Sequence, residues 1–199
     1  MEIATSGKPY YVLPLQLNTD AQIRDHSRFE HMGEVIEYVL ESFARHAPID
    51  TKVVIKNHPL DMGLMNYAKI ISACERRFAI AGRVEYLEEG DLTALVRSAR
   101  GVVTVNSTVG IVALEQGTPT LTLSDPIYNL PGLTNHMPLD AFWRNTEPAD
   151  QHLFSLFRRC VMHATQINGG FYCAKGIALA VENSAQVLSA ERSPLEELL

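Results

Sequence analysis

Five short apolar runs rich in Val, Ile, Leu and Tyr alternate with five stretches of helical character, joined by loops of a few residues. The runs are 10–16 (YYVLPLQ), 52–56 (KVVIK), 84–88 (VEYLE), 102–105 (VVTV) and 118–123 (TPTLTL, entered through Pro119). The helical stretches include 27–43, with Met32, Val35, Ile36, Val39, Leu40 and Phe43 on one face, and 64–78. A short one begins at Asp91 and another runs from Ser107 to Gln116, ended by Gly117. Repeated strand–helix alternation of this kind predicts parallel strands buried on both faces by helices. A three-layer, Rossmann-like α/β domain with five or six parallel strands is the expected fold. In SRFE, Ser27 reads as a helix N-cap with Glu30 completing a capping box. After Leu123 the run SDPIYNLPGLTNHMPLDAFW is rich in proline and turn residues and reads as a surface excursion. Two helices close the chain, one with Leu153, Leu156, Phe157, Cys160, Val161 and Ala164 on one face, the other over 174–188. The expected organisation is a disordered polar leader at 1–9 and a single domain at 10–199.

A length of 199 residues is enough for one such domain with a full core. The formal net charge of −6 argues against a broad nucleic-acid footprint. Three widely spaced cysteines, none in a CxxC pair, fit neither a disulfide framework nor a zinc site and suit a reducing compartment. No apolar run is long enough to span a bilayer.

Open parallel sheets bind ligands outside the carboxyl ends of their strands. Here those ends carry LNTDAQIRDHS, NHPLD, EEGD and NSTVG. Ser107 and Thr108 stand where a helix begins, so hydroxyls and free backbone N–H groups are expected to face outward and favour an anion. Gly110 would leave the first turn clear for a phosphate; the plainer reading makes Ser107 an ordinary N-cap. His58 follows the second strand, and Pro59 holds it extended, placing an imidazole donor at the sheet edge. A loop histidine satisfied by backbone is the plainer reading there. Glu88 and Glu89 would border a base or ribose, or form an exposed acidic turn. GxGxxG, GxxxxGKS and GxSxG are all missing, which removes the common dinucleotide, P-loop and hydrolase readings. No second His or carboxylate stands at ligand spacing from His58, so no metal is expected.

The ordered set PLQLNTDAQIRDHS, KNHP, NSTVG, YNLPGLTN, LDAFW and QINGGFY resembles the bacterial capsule polysaccharide biosynthesis and export family. Within that family it is most similar to the Kdo transferases that build the lipid-attached linker of group 2 type capsules. The resemblance covers roughly 10–180. It implies the C-terminal half of a GT-B glycosyltransferase, the N-terminal half being absent, with CMP-Kdo as donor and retention of the β configuration. His58, Pro59, Asn106, Ser107, Thr108, Gly110 and Glu89 would then hold the nucleotide. The family's Q-x-x-x-D segment falls on Gln16 and Asp20, making Asp20 the carboxylate nearest the anomeric carbon, with Asp25 the rival nucleophile. Gln16, Arg24 and Ser27 would meet the sugar, Arg24 pairing with its carboxylate. The resemblance implies a lipid-linked acceptor, a capsule synthesis or export complex, and a cytoplasmic protein peripheral to the inner membrane. Alone, such a half would bind nucleotide without transferring Kdo. A non-catalytic adaptor in capsule export and a UDP-sugar GT-B enzyme are the two other readings.

Overall fold

The structure, a computed structural model, describes residues 7–198. Residues up to Gln151 form one compact unit, and His152 to Leu199 a second. This differs from the single domain expected over 10–199. Most of the leader, 1–6, lies outside the described residues. Pro9 is already tied in, its carbonyl accepting the Lys52 N–H at 3.0 Å.

The first unit is built on five parallel strands: β1 (Tyr10–Pro14), β2 (Lys52–Lys56), β3 (Val84–Leu87), β4 (Gly101–Thr104) and β5 (Thr120–Thr122). Their order is β3-β2-β1-β4-β5, so the chain winds outward first one way from β1 and then the other. Because side chains alternate across a strand, near-continuous apolar runs supply both faces at once. Tyr11, Leu13, Val53, Ile55 and Val103 face one core, which holds Val35, Ile36, Val39, Leu40 and Phe43 of α2 (Met32–His46) and Ile71 and Cys74 of α3 (Tyr67–Phe78). Tyr10, Val12, Val54 and Val102 face the other, with Leu95 and Val96 of α4 (Leu92–Arg97) and Ala113 of α5 (Val109–Glu115). Each fully buried Val, Leu or Ile contributes about 1.5–3 kcal/mol.

The topology opens a crevice. β1 pairs with β2 along its whole length, but with β4 only through Tyr11 and Val12. Beyond Val12 the pairing of β1 with β4 ends, at the point where strand order reverses. Pro14, which lacks an N–H, ends β1 there without forfeiting a ladder bond. Leu15 N–H then reaches Lys56 O at 2.8 Å.

Three helix starts differ from expectation. His31, not Ser27, caps α2, its Nδ1 accepting from Glu34 N–H at 3.2 Å. Glu34, rather than Glu30, reaches back, accepting the Glu30 N–H at 2.8 Å. Ser27 instead closes a local turn, donating to Ile23 O and accepting from Phe29 N–H. Before it lies the short α1 (Ala21–Arg24), absent from the sequence reading. The third start is that of α3, which begins three residues late because Asn66 caps it through Lys69 N–H.

The expected surface excursion is surface only in part: Asp125, Ile127, Leu130, Pro131 and Gly132 are exposed, but other residues of the run turn inward. Tyr128, Leu133 and Asn135 are buried, as are Leu139 and Phe142 of α6 (Leu139–Phe142) and Trp143. Asn135 satisfies backbone that would otherwise be stranded, donating to Thr120 O and Glu147 O and accepting from Glu147 N–H.

The second unit is helical: most of α7 (Gln151–Thr165), α8 (Ala174–Ser189) and α9 (Pro194–Leu198). A Cβ on Gly169 would lie 2.4 Å from Ala180 Cα, so the INGG turn packs directly on α8. Asn183 Nδ2 donates to Asn168 O at 2.8 Å across the same turn.

Candidate functional site

β2 ends in Lys56, and the next three residues fold into a tight polar turn. Asn57 N–H continues the ladder to Leu87 O, while Asn57 Oδ1 accepts the His58 N–H at 2.9 Å. His58 Nδ1 accepts the Leu60 N–H at 3.1 Å. A neutral ring whose Nδ1 accepts must carry its proton on Nε2, so the turn fixes the tautomer and leaves Nε2–H as a donor. The plain reading of a backbone-satisfied histidine describes Nδ1, and Nε2 is the nitrogen left for a ligand.

β4 ends in an equally ordered turn. Ser107 Oγ accepts the Val109 N–H at 3.2 Å, and the N–H groups of Gly110 and Ile111 bond to Ser107 O and Thr108 O. The amides of the first turn are thus occupied, contrary to the expectation that they face outward free. What the turn presents is the hydroxyl of Thr108, an exposed residue whose side chain makes no capping bond. Gly110 also differs from expectation. A Cβ there would fall 2.3 Å from Tyr128 Oη, so its hydrogen makes room for that ring, not for a phosphate. Tyr128 Oη in turn donates to Ser107 O.

The two turns meet. A cleft of about 250 Å³ is lined by Pro14 and Leu15 after β1, Lys56 to Pro59 after β2, Gly90 and Leu92 after β3, and Ser107 to Val109 after β4. His58, Pro59, Ser107 and Thr108 therefore share one wall-to-wall space at the strand-order reversal. A larger cavity of about 700 Å³ adjoins it through Asn57, His58 and Pro59 and extends past Asp61, Tyr67 and Tyr86 to Glu88 and Glu89. Burial, then Glu88 and Asp61 nearby, push the Tyr86 hydroxyl up to about 12, so it stays a neutral donor. Glu88 and Glu89 are exposed at the rim.

The remaining sequence candidates sit elsewhere. Gln16 and Asn106 are buried and bonded to each other, Gln16 Nε2 donating to Asn106 Oδ1 at 3.0 Å and Gln16 Oε1 accepting the Asn106 N–H at 3.3 Å. Asn106 Nδ2 also donates to Gln22 O at 2.7 Å. The pair braces the β1 loop against the β4 exit, and neither residue lines either cavity. Asp20 is the N-cap of α1, its Oδ1 accepting the Gln22 N–H at 2.9 Å. Asp25 ends that helix, exposed, with Arg24 Nη2 3.8 Å from its carboxylate. Ser27 is engaged in its turn. None of Asp20, Arg24, Asp25 and Ser27 lines the two cavities. Sequence reasoning passed over Lys56, Tyr67 and Tyr86; a lysine closing a strand that is apolar on both faces was the available signal. Among the described residues no three of His, Cys, Asp and Glu cluster so as to hold a metal ion, and no helix is long and apolar enough to cross a membrane.

Residues 2–172 match the family described as "Capsule polysaccharide biosynthesis protein". Two curated relatives agree with that match. The capsule polysaccharide modification protein LipB of Neisseria meningitidis serogroup A is 37% identical over 173 residues, covering 86% of this chain and 41% of that protein. The capsule polysaccharide export protein KpsS of Escherichia coli is 36% identical over 163 residues, covering 82% and 42%. The chain thus spans about two-fifths of the length of these relatives. Among solved structures, the KpsC β-Kdo 2,7 transferase of Thermosulfurimonas dismutans superposes with a TM-score of 0.53 at 20% identity, covering 76% of this chain and 45% of that one. That likeness bears on the fold, a Rossmann-like α/β domain of the GT-B kind, as expected. On the extent of the family match and the identity to two curated members, the chain belongs to the capsule polysaccharide biosynthesis protein family.

Proposed function

We propose that this chain is the nucleotide-sugar-binding domain of a retaining β-Kdo transferase acting in capsule polysaccharide biosynthesis, with CMP-Kdo as donor. The observation that carries the reading is the cleft in which His58 meets Ser107 and Thr108 where the β1/β4 pairing ends. Its position matches where open α/β sheets hold nucleotides, and its donors suit a phosphate. His58 Nε2–H and the Thr108 hydroxyl meet the phosphate oxygens without a metal. In this reading Asp20 Oδ2 attacks the anomeric carbon of Kdo and CMP leaves with the bonding pair. An acceptor hydroxyl then displaces the carboxylate, giving up its proton to a base, and two inversions restore the starting anomer. Asp25 is the alternative nucleophile, and Arg24, Gln16 and Ser27 belong to the sugar side. The acceptor is lipid-linked, and the protein works at the cytoplasmic face of the inner membrane in a capsule assembly. Because orientation of an acceptor accounts for roughly 7–11 kcal/mol of barrier lowering, this chain alone is expected to bind CMP-Kdo without transferring it at a useful rate.

Calorimetry with CMP, UMP, UDP and UDP-GlcNAc, with and without EDTA, tests the reading. Saturable CMP binding that survives chelation is the expected result. Preference for a UDP-sugar would move the chain to the UDP-sugar enzymes. A second reading, a non-catalytic adaptor in capsule export, draws on the name of the KpsS relative. It predicts no nucleotide binding at all.

A further inference from the structure

Lys56 is the last residue of β2, in register with Pro14 of β1 and Leu87 of β3. It is only 6% exposed, an unusual place for a lysine, which is almost never fully buried without a partner. Its hydrogen-bond partners are two carbonyls: Asn57 O at 3.0 Å and Glu88 O at 2.9 Å. Among the described residues no carboxylate comes within ion-pair distance of it. Burial pushes its ammonium below the usual lysine value, and the more distant charge of Glu89 pulls it part of the way back. The charge is therefore poorly solvated and only partly offset, with no carboxylate in direct contact. An ammonium has three donors, and two carbonyls use two of them. Lys56 lines the same 250 Å³ cleft as His58, Ser107 and Thr108.

We propose that Lys56 is the cationic anchor of this cleft, its third N–H pairing with the phosphate of the bound nucleotide, whose charge supplies the counterion that the protein withholds. This rests on the nucleotide reading above and adds to it the group that neutralises the phosphate. Two further consequences come from its carbonyl partners. Asn57 O and Glu88 O belong to the loops after β2 and β3, so the ammonium that meets the ligand also fixes the edges of both cavities. The charge is held in place before binding, at a site with little water to screen it.

A purely structural lysine would clamp the two loops and affect every ligand alike, whereas an anchor distinguishes a phosphate from its absence. The test compares CMP with cytidine, on the whole chain and on Lys56→Met, which keeps the stem's length and removes the charge. We expect CMP to bind about ten- to a hundredfold more weakly to the variant, and cytidine to lose much less, only what loosening of the two loops costs. Equal losses for both ligands, or no loss for CMP, overturn the proposal. A second measurement decides the matter if Lys56→Met does not fold: in the unmodified chain, labelled with ¹³C at lysine Cε, CMP and inorganic phosphate should shift the Lys56 signal and cytidine should not. A shift with phosphate but no preference for CMP keeps the anchor and ends the CMP reading. CMP binding that leaves the Lys56 signal still keeps the CMP reading and ends the anchor. No response to either anion removes the anchor.

Discussion

Two connections in the first unit draw on similar residues and have different fates. Segments 57–66 and 124–138 both mix Pro, Gly, Leu and Met with Asn, Asp and His. In the first, Leu60, Met62 and Leu64 stand mostly in solvent. In the second, Tyr128 and Leu133 are buried, and the segment delivers Phe142 and Trp143 to the centre of the core. The difference lies in where each segment's polar side chains go. Segment 124–138 turns Asn135 onto the neighbouring backbone at Thr120 and Glu147, and Thr134 donates to Asn129 Oδ1 at 2.7 Å. Segment 57–66 spends its polar side chains on its own turn, Asn57 on His58 and Asp61, and His58 on Leu60. One connection sends Tyr128 and Leu133 inward while Ile127 and Leu130 stay exposed, and the other becomes the wall of two cavities. Apolar content alone separates neither.

The largest effect should come from the buried connection. Trp143 packs edge-on against Tyr11 and Phe43, and its Nε1 donates to Ser42 Oγ at 2.8 Å. Trp143→Ala should cost about 3–5 kcal/mol of stability, read as a fall in the urea midpoint with the slope preserved. A cost under about 1 kcal/mol would return this segment to the surface, where its composition first put it.

That error shows what kind of information a sequence carries here. β2 lies where it was read, over 52–56, because a short apolar run, Val53 to Ile55, between two lysines and flanked by turn residues has few other uses. The parallel sheet follows from alternation alone. The meeting of His58 with Ser107 and Thr108 in one cleft was foreseeable because both motifs directly follow strands, and strand ends of a parallel sheet share an edge. Partners chosen by tertiary packing were not foreseeable. Gly110 looks like a phosphate glycine until Tyr128, 18 residues later, fills the space. Ser27 and Glu30 satisfy a capping pattern, yet four residues later His31 does the capping. Lys56 looks like a solvated strand end, and its burial depends on loops from β2 and β3 closing over it.

On the exposed connection the effect should fall on binding, with stability spared. His58→Ala removes the Nε2 donor together with the Nδ1 acceptor of the turn. It should weaken CMP by about 1.5–3 kcal/mol, roughly ten- to a hundredfold, in calorimetry. Unchanged affinity in a folded variant would take His58 out of the site and leave the turn merely structural.

Gly110→Ala joins the two regions, since it drives a methyl into Tyr128 of the buried connection at the foot of the cleft. Its backbone conformation is ordinary for any residue, so the penalty is steric: about 1–3 kcal/mol of stability by urea denaturation. A neutral outcome would mean that Tyr128 swings away easily, and that its bond to Ser107 O does not hold the β4 turn.

The smallest effect is the most direct check on the contrast. Leu60 and Leu64 are 71% and 83% exposed and line neither cavity. If segment 57–66 is held by its polar turn and not by apolar packing, replacing both leucines with serine removes almost no buried surface. Little transfer energy is then at stake, and stability should change by less than about 0.5 kcal/mol. CMP affinity should also stay within about twofold, or 0.4 kcal/mol, because His58 is positioned by Asn57 Oδ1 and Leu60 N–H, and the backbone donor survives the substitution. Urea denaturation and calorimetry on the double variant read the two quantities separately. A stability loss above about 1 kcal/mol would mean that the leucines pack on something, and the two connections would then differ in degree only. Lost CMP affinity at unchanged stability would instead make the leucines part of the ligand's surroundings, extending the site beyond the turn that Asn57 and His58 build.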